Sequence, residues 1–335
     1  MLSSTDRPLS QAYDLALLDL DGVVYIGPDA VPGAPEHLAA AVEAGMHLAY
    51  VTNNAARPPA AVAEHLRELG VPAKDEDVVT SAQAAARMLA DRLPAGSPVF
   101  VIGGTGLEEA LRERGLEPVQ DLDADPVAVV SGYHPDVTWK TVSTGAILVR
   151  RGLPWVASNT DLTVPTPLGP GPGNGALVEV VRRFAERDPE VAGKPQPPLL
   201  EETLLRVGGE RPLVVGDRLD TDIEGAVNTG LDSLLVMTGV TGLDELLAAG
   251  PASRPSYVAA DLAGLAEPQP EVDESDGAAV GGWTAQVRDG RLSVEGDGTA
   301  SDWWRAVAVA GWRFLDTTGG PAATDGVTAP SSVAP

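Results

Sequence analysis

The amino-acid sequence predicts an α/β protein. We expect a doubly wound parallel sheet of Rossmann-like type, an inserted second α/β domain and a small C-terminal ββα extension. Three observations predict this architecture: short apolar runs each precede a stretch with helical spacing, a second series of this kind occupies the middle of the chain, and the composition changes after residue 265. Short, continuously apolar runs are typical of parallel strands buried on both faces. Their alternation with helices is typical of doubly wound folds.

The predicted core domain comprises residues 1–82 and 191–265. Its strands are apolar runs that lead into an acidic, hydroxyl-bearing or glycine residue, namely Leu15–Leu18, His47–Val51, Leu213–Val215 and Ser233–Met237. Pro58–Leu69 has the spacing of a helix. Ligands of such folds bind beyond the carboxyl ends of the strands, so the residues that follow these runs are candidates for a functional site.

The predicted inserted domain comprises residues 83–190. Its strands are expected at Val99–Ile102, Val127–Val130 and Trp155–Ala157, and a helix is expected at Ala82–Arg92. This series repeats the alternation of the first domain, so it indicates a second α/β unit.

The C-terminal region has a different composition. We expect three segments in it: an acidic linker at 266–280, a small extension at 281–318 and a disordered tail at 319–335. Within the extension, Trp283–Val287 and Arg291–Glu295 are predicted to form a hairpin. A helix capped by Ser301-Asp302 is predicted to follow and to run to about Asp316.

The composition excludes several functional classes. The chain has 335 residues, with 23 Lys and Arg against 48 Asp and Glu, and a formal net charge of −25. Such a charge repels a phosphate backbone, so no nucleic-acid partner is expected. The absence of cysteine excludes disulfides and thiolate metal sites. No apolar run has the length of a membrane span and no signal-type segment begins the chain, so we expect a cytoplasmic protein with no membrane partner.

An acidic turn follows the first predicted strand. Asp19 and Asp21 are two residues apart, and Gly22 allows the backbone to turn sharply beside them. Two such carboxylates repel each other unless a cation lies between them. An all-oxygen site suits Mg²⁺. Taken alone, the same residues are also compatible with a solvated acidic turn.

A second acidic segment follows the strand Leu213–Val215. Asp217 is placed to join the first pair of carboxylates at a shared metal ion. Asp220 or Thr221 has the position of a helix N-cap, and Asp222 lies in the first turn of that helix. Capping accounts for one of these later residues but does not account for Asp217.

Two further segments suit an anion. Thr52 and Asn53 follow a strand and precede a helix, where a hydroxyl, an amide and backbone N–H groups favour phosphate. Lys194 is one of only three lysines and lies between Gly193 and Pro195. An ammonium group held in a rigid turn suits a phosphoryl oxygen. Taken alone, each segment is also compatible with a structural role, since Thr-Asn turns and surface lysines are common.

In chain order, the motifs are DxDG at Asp19, TNN at Thr52, GKP at Gly193 and GDxxxTD at Gly216. This order resembles the haloacid dehalogenase (HAD) superfamily of phosphotransferases, which use an aspartate nucleophile. Three further segments resemble the cap domain of its class IIA branch, which contains 4-nitrophenylphosphatases, phosphoglycolate phosphatases and glycerol-3-phosphate phosphatases. They are Gly103–Leu107, Ser158–Asp161 and Gly171–Leu177. The resemblance spans about residues 12–265.

The resemblance implies an HAD core with a cap at 83–190, and a Mg²⁺-dependent phosphatase that forms an aspartyl-phosphate. Asp19 is then the nucleophile and Asp21 the general acid and base. Mg²⁺ is bound by Asp19, by Asp21 through its backbone and by Asp217, and Gly22 and Asp222 have supporting roles. The residues implied in phosphate or substrate binding are Thr52, Asn53, Lys194, Asn159 and Asp161.

The expected partner is a small phosphorylated metabolite, with glycerol 3-phosphate and 2-phosphoglycolate favoured. A homodimer formed through the cap is the assembly considered. Family members carry an acidic residue near Tyr133-His134 and a tyrosine a few residues later, whereas this chain reads GYHPDVTW over Gly132–Trp139, so substrate choice cannot be transferred from one relative. Gly103–Gly106 lacks the spacing of a dinucleotide-binding loop, so NAD is not expected.

Two alternatives stay open at this point. One is a phosphotransferase or mutase of the same superfamily, and the other is a non-catalytic phospho-acceptor module. Residues 267–335 are expected to be dispensable for hydrolysis.

Overall fold

The computed structural model describes residues 2–166 and 169–330. The chain divides into two compact units. The first comprises Met1–Ala49, Leu69–Pro72 and Gly209–Pro335, and the second comprises Tyr50–Glu68 and Ala73–Gly208. The second unit therefore begins earlier in the chain than the predicted cap.

The strands are, in chain order, β1 (Leu15–Leu18), β2 (Tyr25–Ile26), β3 (Asp29–Ala30), β4 (His47–Thr52), β5 (Val78–Thr80), β6 (Pro98–Ile102), β7 (Glu117–Val119), β8 (Ala128–Ser131), β9 (Trp155–Ala157), β10 (Thr163–Thr166), β11 (Gly169–Pro172), β12 (Glu190–Val191), β13 (Pro212–Gly216), β14 (Asp232–Val236), β15 (Tyr257–Ala259), β16 (Ala278–Val280), β17 (Trp283–Arg288) and β18 (Arg291–Gly296). The α-helices are α1 (Leu9–Ala12), α2 (Ala34–Glu43), α3 (Pro59–Glu68), α4 (Ser81–Ala90), α5 (Thr105–Glu113), α6 (Trp139–Arg150), α7 (Asn174–Ala185), α8 (Pro198–Val207), α9 (Glu224–Thr229), α10 (Leu243–Leu247) and α11 (Ala300–Thr318).

The first unit contains a parallel sheet in which β15, β14, β13 and β1 are neighbours in that order. All four residues of β1 are buried and apolar, as expected for a strand covered on both faces. β4 begins in this unit, where the N–H of His47 donates to the carbonyl of Asp14 at 2.9 Å. The strand predictions for this sheet are therefore confirmed to within one or two residues.

The second unit contains the last residues of β4, which pair in parallel with β5, and a separate five-stranded sheet. That sheet is parallel, with the order β12, β9, β8, β6, β7. Buried residues of α6 and α7 pack against it, and Phe100, Trp155 and Val181 belong to the same apolar cluster. The predicted α/β character of the middle of the chain is confirmed.

The C-terminal extension packs onto the first unit. β16, β17 and β18 form an antiparallel sheet, so the predicted hairpin has a third strand. Apolar residues of α11 share one buried cluster with the end of the parallel sheet and with α10. The N-cap of α11 is Thr299, whose hydroxyl accepts the N–H of Asp302 at 3.1 Å. The predicted cap at Ser301-Asp302 is therefore wrong by two residues.

The segments on either side of the extension also form backbone hydrogen bonds. Within the predicted acidic linker, Gln269 exchanges two bonds with Thr5, at 2.8 and 2.9 Å. Within the predicted disordered tail, Ala323 accepts from Leu292 at 2.9 Å and donates to Gly290 at 2.8 Å. The partners of Ala323 are Leu292 on the open edge of β18 and Gly290 just before that strand. Unpaired strand edges leave polar backbone atoms available for such bonds. The backbone is therefore hydrogen-bonded at Ala323, beyond the predicted end of the extension at residue 318. Residues 331–335 of the predicted tail lie outside the described residues.

Within the ranges 2–166 and 169–330, no helix has both the length and the apolar character needed to cross a membrane.

Candidate active site

Three aspartates of the first unit bring carboxylate oxygens together. Leu18 of β1 lies opposite Val215 of β13, and the N–H of Asp19 donates to the carbonyl of Val215 at 2.8 Å. This register places Asp19 and Asp217 at the same end of adjacent strands. One carboxylate oxygen from each of Asp19, Asp217 and Asp222 lies within 4.8 Å of the other two. Such closely spaced carboxylates repel one another unless a cation is bound, and an all-oxygen donor set fits Mg²⁺.

Asp222 reaches this cluster from a single turn of π-helix at Leu219–Ile223. Its Oδ2 accepts the backbone N–H of Arg218 at 3.1 Å. A Cβ atom at Gly216 would lie 2.3 Å from the Cβ of Asp222, so the close approach requires glycine there. The sequence predicted a supporting role for Asp222, whereas the structure places its carboxylate in the cluster itself.

Asp21 differs from its neighbours in the motif. Its side chain is exposed, and its carboxylate is not part of the three-aspartate cluster found among the described residues. Asp21 lies within a turn, because the carbonyl of Leu20 accepts the N–H groups of Val24 at 2.9 Å and Tyr25 at 3.2 Å. The cluster of three carboxylates therefore contains Asp222, whereas the predicted set of metal ligands contained Asp21. The predicted metal contact through the backbone of Asp21 stays a proposal.

A loop after β14 holds Asp217 in place. The N–H of Val240 donates to Oδ2 of Asp217 at 2.6 Å, and the hydroxyl of Thr241 donates to the carbonyl of Asp217 at 2.6 Å. Sequence reasoning did not include these residues in the site. The available signal was the position of Thr238-Gly239 directly after an apolar run, where a ligand-binding loop is expected.

Two glycines allow the loop to approach Asp217. A Cβ at Gly239 would lie 1.9 Å from Oδ2 of Asp217, and a Cβ at Gly22 would lie 2.5 Å from the same atom. Gly22 also has a φ of +84°, which side-chain-bearing residues rarely adopt. The hydroxyl of Thr238 donates to the carbonyl of Gly22 at 2.6 Å. The predicted importance of Gly22 therefore has a steric cause.

In the second unit, Asn53 binds the backbone of Lys194. Oδ1 of Asn53 accepts the N–H of Lys194 at 2.8 Å, and Nδ2 donates to the carbonyl of Lys194 at 3.0 Å. The same Nδ2 lies 3.2 Å from each carboxylate oxygen of Asp161. The side chain of Asn53 thus positions Lys194 and Asp161.

Lys194 and Thr52 are both buried, with 3% and 4% of their surfaces exposed. Nζ of Lys194 donates to the carbonyl of Val51 at 3.4 Å, beside the end of β4. The hydroxyl oxygen of Thr52 accepts the N–H of Asn54 at 3.0 Å, which leaves the hydroxyl hydrogen to be donated elsewhere. The structure therefore brings Lys194 to the end of β4, where the sequence placed the phosphate-binding segment.

Asn159 supports the same loop. Its Nδ2 donates to the carbonyl of Asn53 at 2.6 Å, and its Oδ1 accepts the N–H of Asp161 at 3.1 Å. The hydroxyl of Ser81 donates to the carbonyl of Asn53 at 2.5 Å. Asn159 and Asp161 were predicted to bind substrate, and these contacts show that both organise the segment around Asn53.

Comparison with known proteins agrees with these motifs. A sequence model of the haloacid dehalogenase-like hydrolases matches residues 16–117, and a HAD-hydrolase-like model matches residues 191–265. The chain is 40% identical over 324 residues to the D-glycerol 3-phosphate phosphatase of Mycobacterium tuberculosis, which covers 92% of this chain and 88% of that protein. This protein belongs to the haloacid dehalogenase-like hydrolase family.

Other members of the HAD family are similar over a shorter part of this chain. An acid sugar phosphatase of Staphylococcus aureus is 37% identical over 236 residues, which cover 70% of this chain and 90% of that protein. A crystal structure of 4-nitrophenylphosphatase from Thermotoga maritima has 30% identity and a TM-score of 0.70, covering 77% of this chain and 98% of that chain. Nearly the whole of each relative is matched, so a quarter or so of this HAD protein has no counterpart in them.

The mycobacterial protein also has solved structures. Its magnesium complex, described as a glycerol phosphate phosphatase, has 40% identity, a TM-score of 0.84 and a coverage of 92% of both chains. The predicted HAD fold, with its α/β core, inserted cap and C-terminal extension, is confirmed by these comparisons.

Proposed function

We propose that this HAD hydrolase is a Mg²⁺-dependent phosphatase that hydrolyses a small phosphomonoester through an aspartyl-phosphate. The single observation that carries the proposal is the cluster of Asp19, Asp217 and Asp222 at the carboxyl ends of parallel strands. Glycerol 3-phosphate is the first candidate substrate, because the relative that matches over 92% of this chain is named for it. 2-Phosphoglycolate is the second candidate.

The proposed roles follow from charge. A phosphate monoester is largely dianionic near pH 7, since its second pKa is about 6. A carboxylate nucleophile is repelled by such an anion unless the negative charge is neutralised. The carboxylates of Asp19, Asp217 and Asp222, with the backbone of Asp21, would hold Mg²⁺. The bound ion supplies that neutralisation.

The protein itself supplies the nucleophile, the general acid and base, and the groups that bind the phosphoryl oxygens. An oxygen of Asp19 attacks phosphorus in line, the bond from phosphorus to the ester oxygen breaks, and Asp21 gives a proton to the departing alkoxide. Asp21 then takes a proton from the water that hydrolyses the aspartyl-phosphate. The ammonium of Lys194, the hydroxyl of Thr52 and the backbone at Asn53 bind the phosphoryl oxygens.

Asn159 and Asp161 would act by keeping the Asn53 segment in place, as their hydrogen bonds support. Gly22 would act by giving the Asp217 carboxylate the space that it occupies.

The experiment is a phosphate-release screen of the full chain with Mg²⁺ and no added acceptor. The panel contains glycerol 3-phosphate, 2-phosphoglycolate, 4-nitrophenyl phosphate and several sugar phosphates, with an EDTA-treated sample as control. Free phosphate that disappears with EDTA and returns with Mg²⁺ is expected. Phosphate transfer only when a sugar acceptor is present would show a phosphotransferase or mutase instead. Stable labelling of Asp19 without turnover would show a phospho-acceptor module.

We also propose that the protein forms a homodimer through its cap helices. Ile147 on α6 and Val180 and Phe184 on α7 are apolar side chains that are more than 40% exposed. Burial of such side chains favours association. Light scattering coupled to gel filtration tests this assembly, and a monomer at all concentrations would contradict it.

A further inference from the structure

The C-terminal extension contacts the element that directly follows the Asp217 loop. α10 begins two residues after Thr241 and is only five residues long. Its own hydrogen bonds cannot stabilise so short a helix, because nucleation costs more than a few bonds return. The position of α10, and of the loop before it, therefore depends on what packs against it.

Residues of the extension provide that packing. Trp312 of α11 is fully buried, and its Nε1 donates to the carbonyl of Leu246 in α10 at 2.7 Å. A Cβ at Gly311 would lie 2.5 Å from Cγ of Leu247, so the two helices approach closely. The hydroxyl of Thr324 donates to Oδ1 of Asp244, at the start of α10, at 2.5 Å. Two contacts from the extension and one from Thr324, which follows the extension in the chain, thus hold one five-residue helix.

The indole of Trp312 also contacts an arginine side chain. The guanidinium of Arg254 lies 5.2 Å from the centre of the indole ring. Arg254 also forms two hydrogen bonds with the carboxylate of Asp316 in α11, at 2.7 and 2.8 Å. These contacts give the indole one orientation, so its N–H is presented to Leu246 before any ligand binds.

We propose that Trp312 is a positioning residue for the metal site. Through α10 it holds the loop Thr238–Thr241, and this loop orients Asp217 through the N–H of Val240 and the hydroxyl of Thr241. The inference rests on the proposed function, because it takes Asp217 as a ligand of the divalent cation. A ligand that is already held in place loses less freedom when the cation binds, so loss of the Trp312 contact weakens metal binding rather than the chemical step.

The test compares Trp312→Phe with Trp283→Phe in the full chain. Both variants lose an indole N–H bond to a backbone carbonyl, but Trp283 donates to Thr299 within the extension and not to α10. Binding of Mn²⁺ alone is measured by the electron paramagnetic resonance signal of the free ion, without substrate. We expect Trp312→Phe to raise the Mn²⁺ dissociation constant about three- to tenfold, as loss of one buried hydrogen bond implies. Trp283→Phe should leave it unchanged, and the kcat of Trp312→Phe at saturating metal should stay near that of the unchanged protein.

Equal Mn²⁺ affinities in Trp312→Phe and the unchanged protein would overturn the positioning role, as would equal weakening in the two variants. If Trp312→Phe does not fold, Thr324→Val is the second test, because it removes only the hydrogen bond to Asp244 at the start of α10. A folded Thr324→Val variant with weaker Mn²⁺ binding would support positioning of the metal site through α10. Unchanged Mn²⁺ binding in this variant would overturn it. Failure of the unchanged protein to bind Mn²⁺ would mark failure of the proposed function, and this inference would fall with it.

Discussion

The side-chain amide of Asn53 bonds to both backbone polar groups of Lys194. It accepts from the N–H of Lys194 at 2.8 Å and donates to its carbonyl at 3.0 Å. The two residues are 141 positions apart in the chain. The amide therefore fixes the backbone from which the lysine side chain extends, so the side chain of Asn53 has a structural role at Lys194.

This pairing predicts the effect of Asn53→Ala. The substitution leaves buried backbone groups of Lys194 without their partners, so the free energy of unfolding should fall by about 2 kcal/mol or more. Turnover should fall as well, because the ammonium of Lys194 loses its fixed position. Urea unfolding and phosphate release measure the two effects. Asn54→Ala is the matched control. It removes a single hydrogen bond within a local turn, in which Oδ1 of Asn54 accepts the N–H of Ala56 at 2.9 Å. Equal losses in the two variants would contradict the special role of Asn53.

Asp19→Asn tests the nucleophile. The amide has nearly the same shape as the carboxylate but cannot form the acyl phosphate, so phosphate release should fall by about 10³-fold or more. Circular dichroism should show an unchanged fold. Asp29→Asn, an exposed aspartate of the same unit, is the control and should keep full activity. Activity of Asp19→Asn close to that of the control would exclude Asp19 as the nucleophile.

Gly22→Ala tests the space around Asp217. The added Cβ would lie 2.5 Å from Oδ2 of Asp217, so the carboxylate must move and both Mn²⁺ affinity and phosphate release should fall at least about tenfold. Gly27→Ala separates this effect from backbone strain. Gly27 also has a positive φ, +61°, but nothing lies within 4 Å of the added atom. We expect Gly27→Ala to cost about 1 kcal/mol of stability with normal metal binding. An equal loss of Mn²⁺ affinity in the two variants would show that backbone strain, and not the contact with Asp217, causes the loss.

Glu202→Gln tests a buried ion-pair network in the second unit. Glu202 is fully buried and pairs with Arg87 at 2.9 Å, with Arg206 at 2.5 Å and with Arg114. Removal of its charge leaves guanidinium groups without their counter-charge, so the free energy of unfolding should fall by about 3–5 kcal/mol. Glu201→Gln is the control. Glu201 is 55% exposed and lies 3.3 Å from Arg87, so its loss should cost less than about 1 kcal/mol. Denaturant unfolding measures both, and a small cost for Glu202→Gln would show that the network contributes little.

Much of the fold was predictable because local patterns decide it. The run Leu15–Leu18 is β1 without a change of bounds, and the hairpin of the extension lies within one residue of its prediction. Asp19 and Asp217 were predictable as a pair because parallel strands end at one edge of a sheet, and their carboxylates do lie together. The motifs of the family were recognisable because their residue types and order restrict the chemistry.

Other features depend on contacts that no local pattern contains. Asp222 takes a place in the carboxylate cluster because a turn at Leu219–Ile223 directs it there, while the turn at Leu20 leaves Asp21 exposed. The extension was expected to be dispensable, yet Trp312 is buried against α10 and shares a core with it. Deletion of 267–335 would expose that apolar surface, so we now expect it to damage the first unit.

The sequence by itself determined the family, the order of strands and helices, and the residue types from which binding of a phosphate and a divalent cation is proposed. These properties follow from hydrophobic periodicity and from short motifs, each contained within a few neighbouring residues. Tertiary structure alone decided which aspartates share the cluster, that Asn53 holds Lys194, and that the extension packs against α10, the helix that follows the loop around Asp217. Close packing and hydrogen-bond pairing between distant segments decide such contacts, because a buried polar group must find its partner wherever the fold brings one.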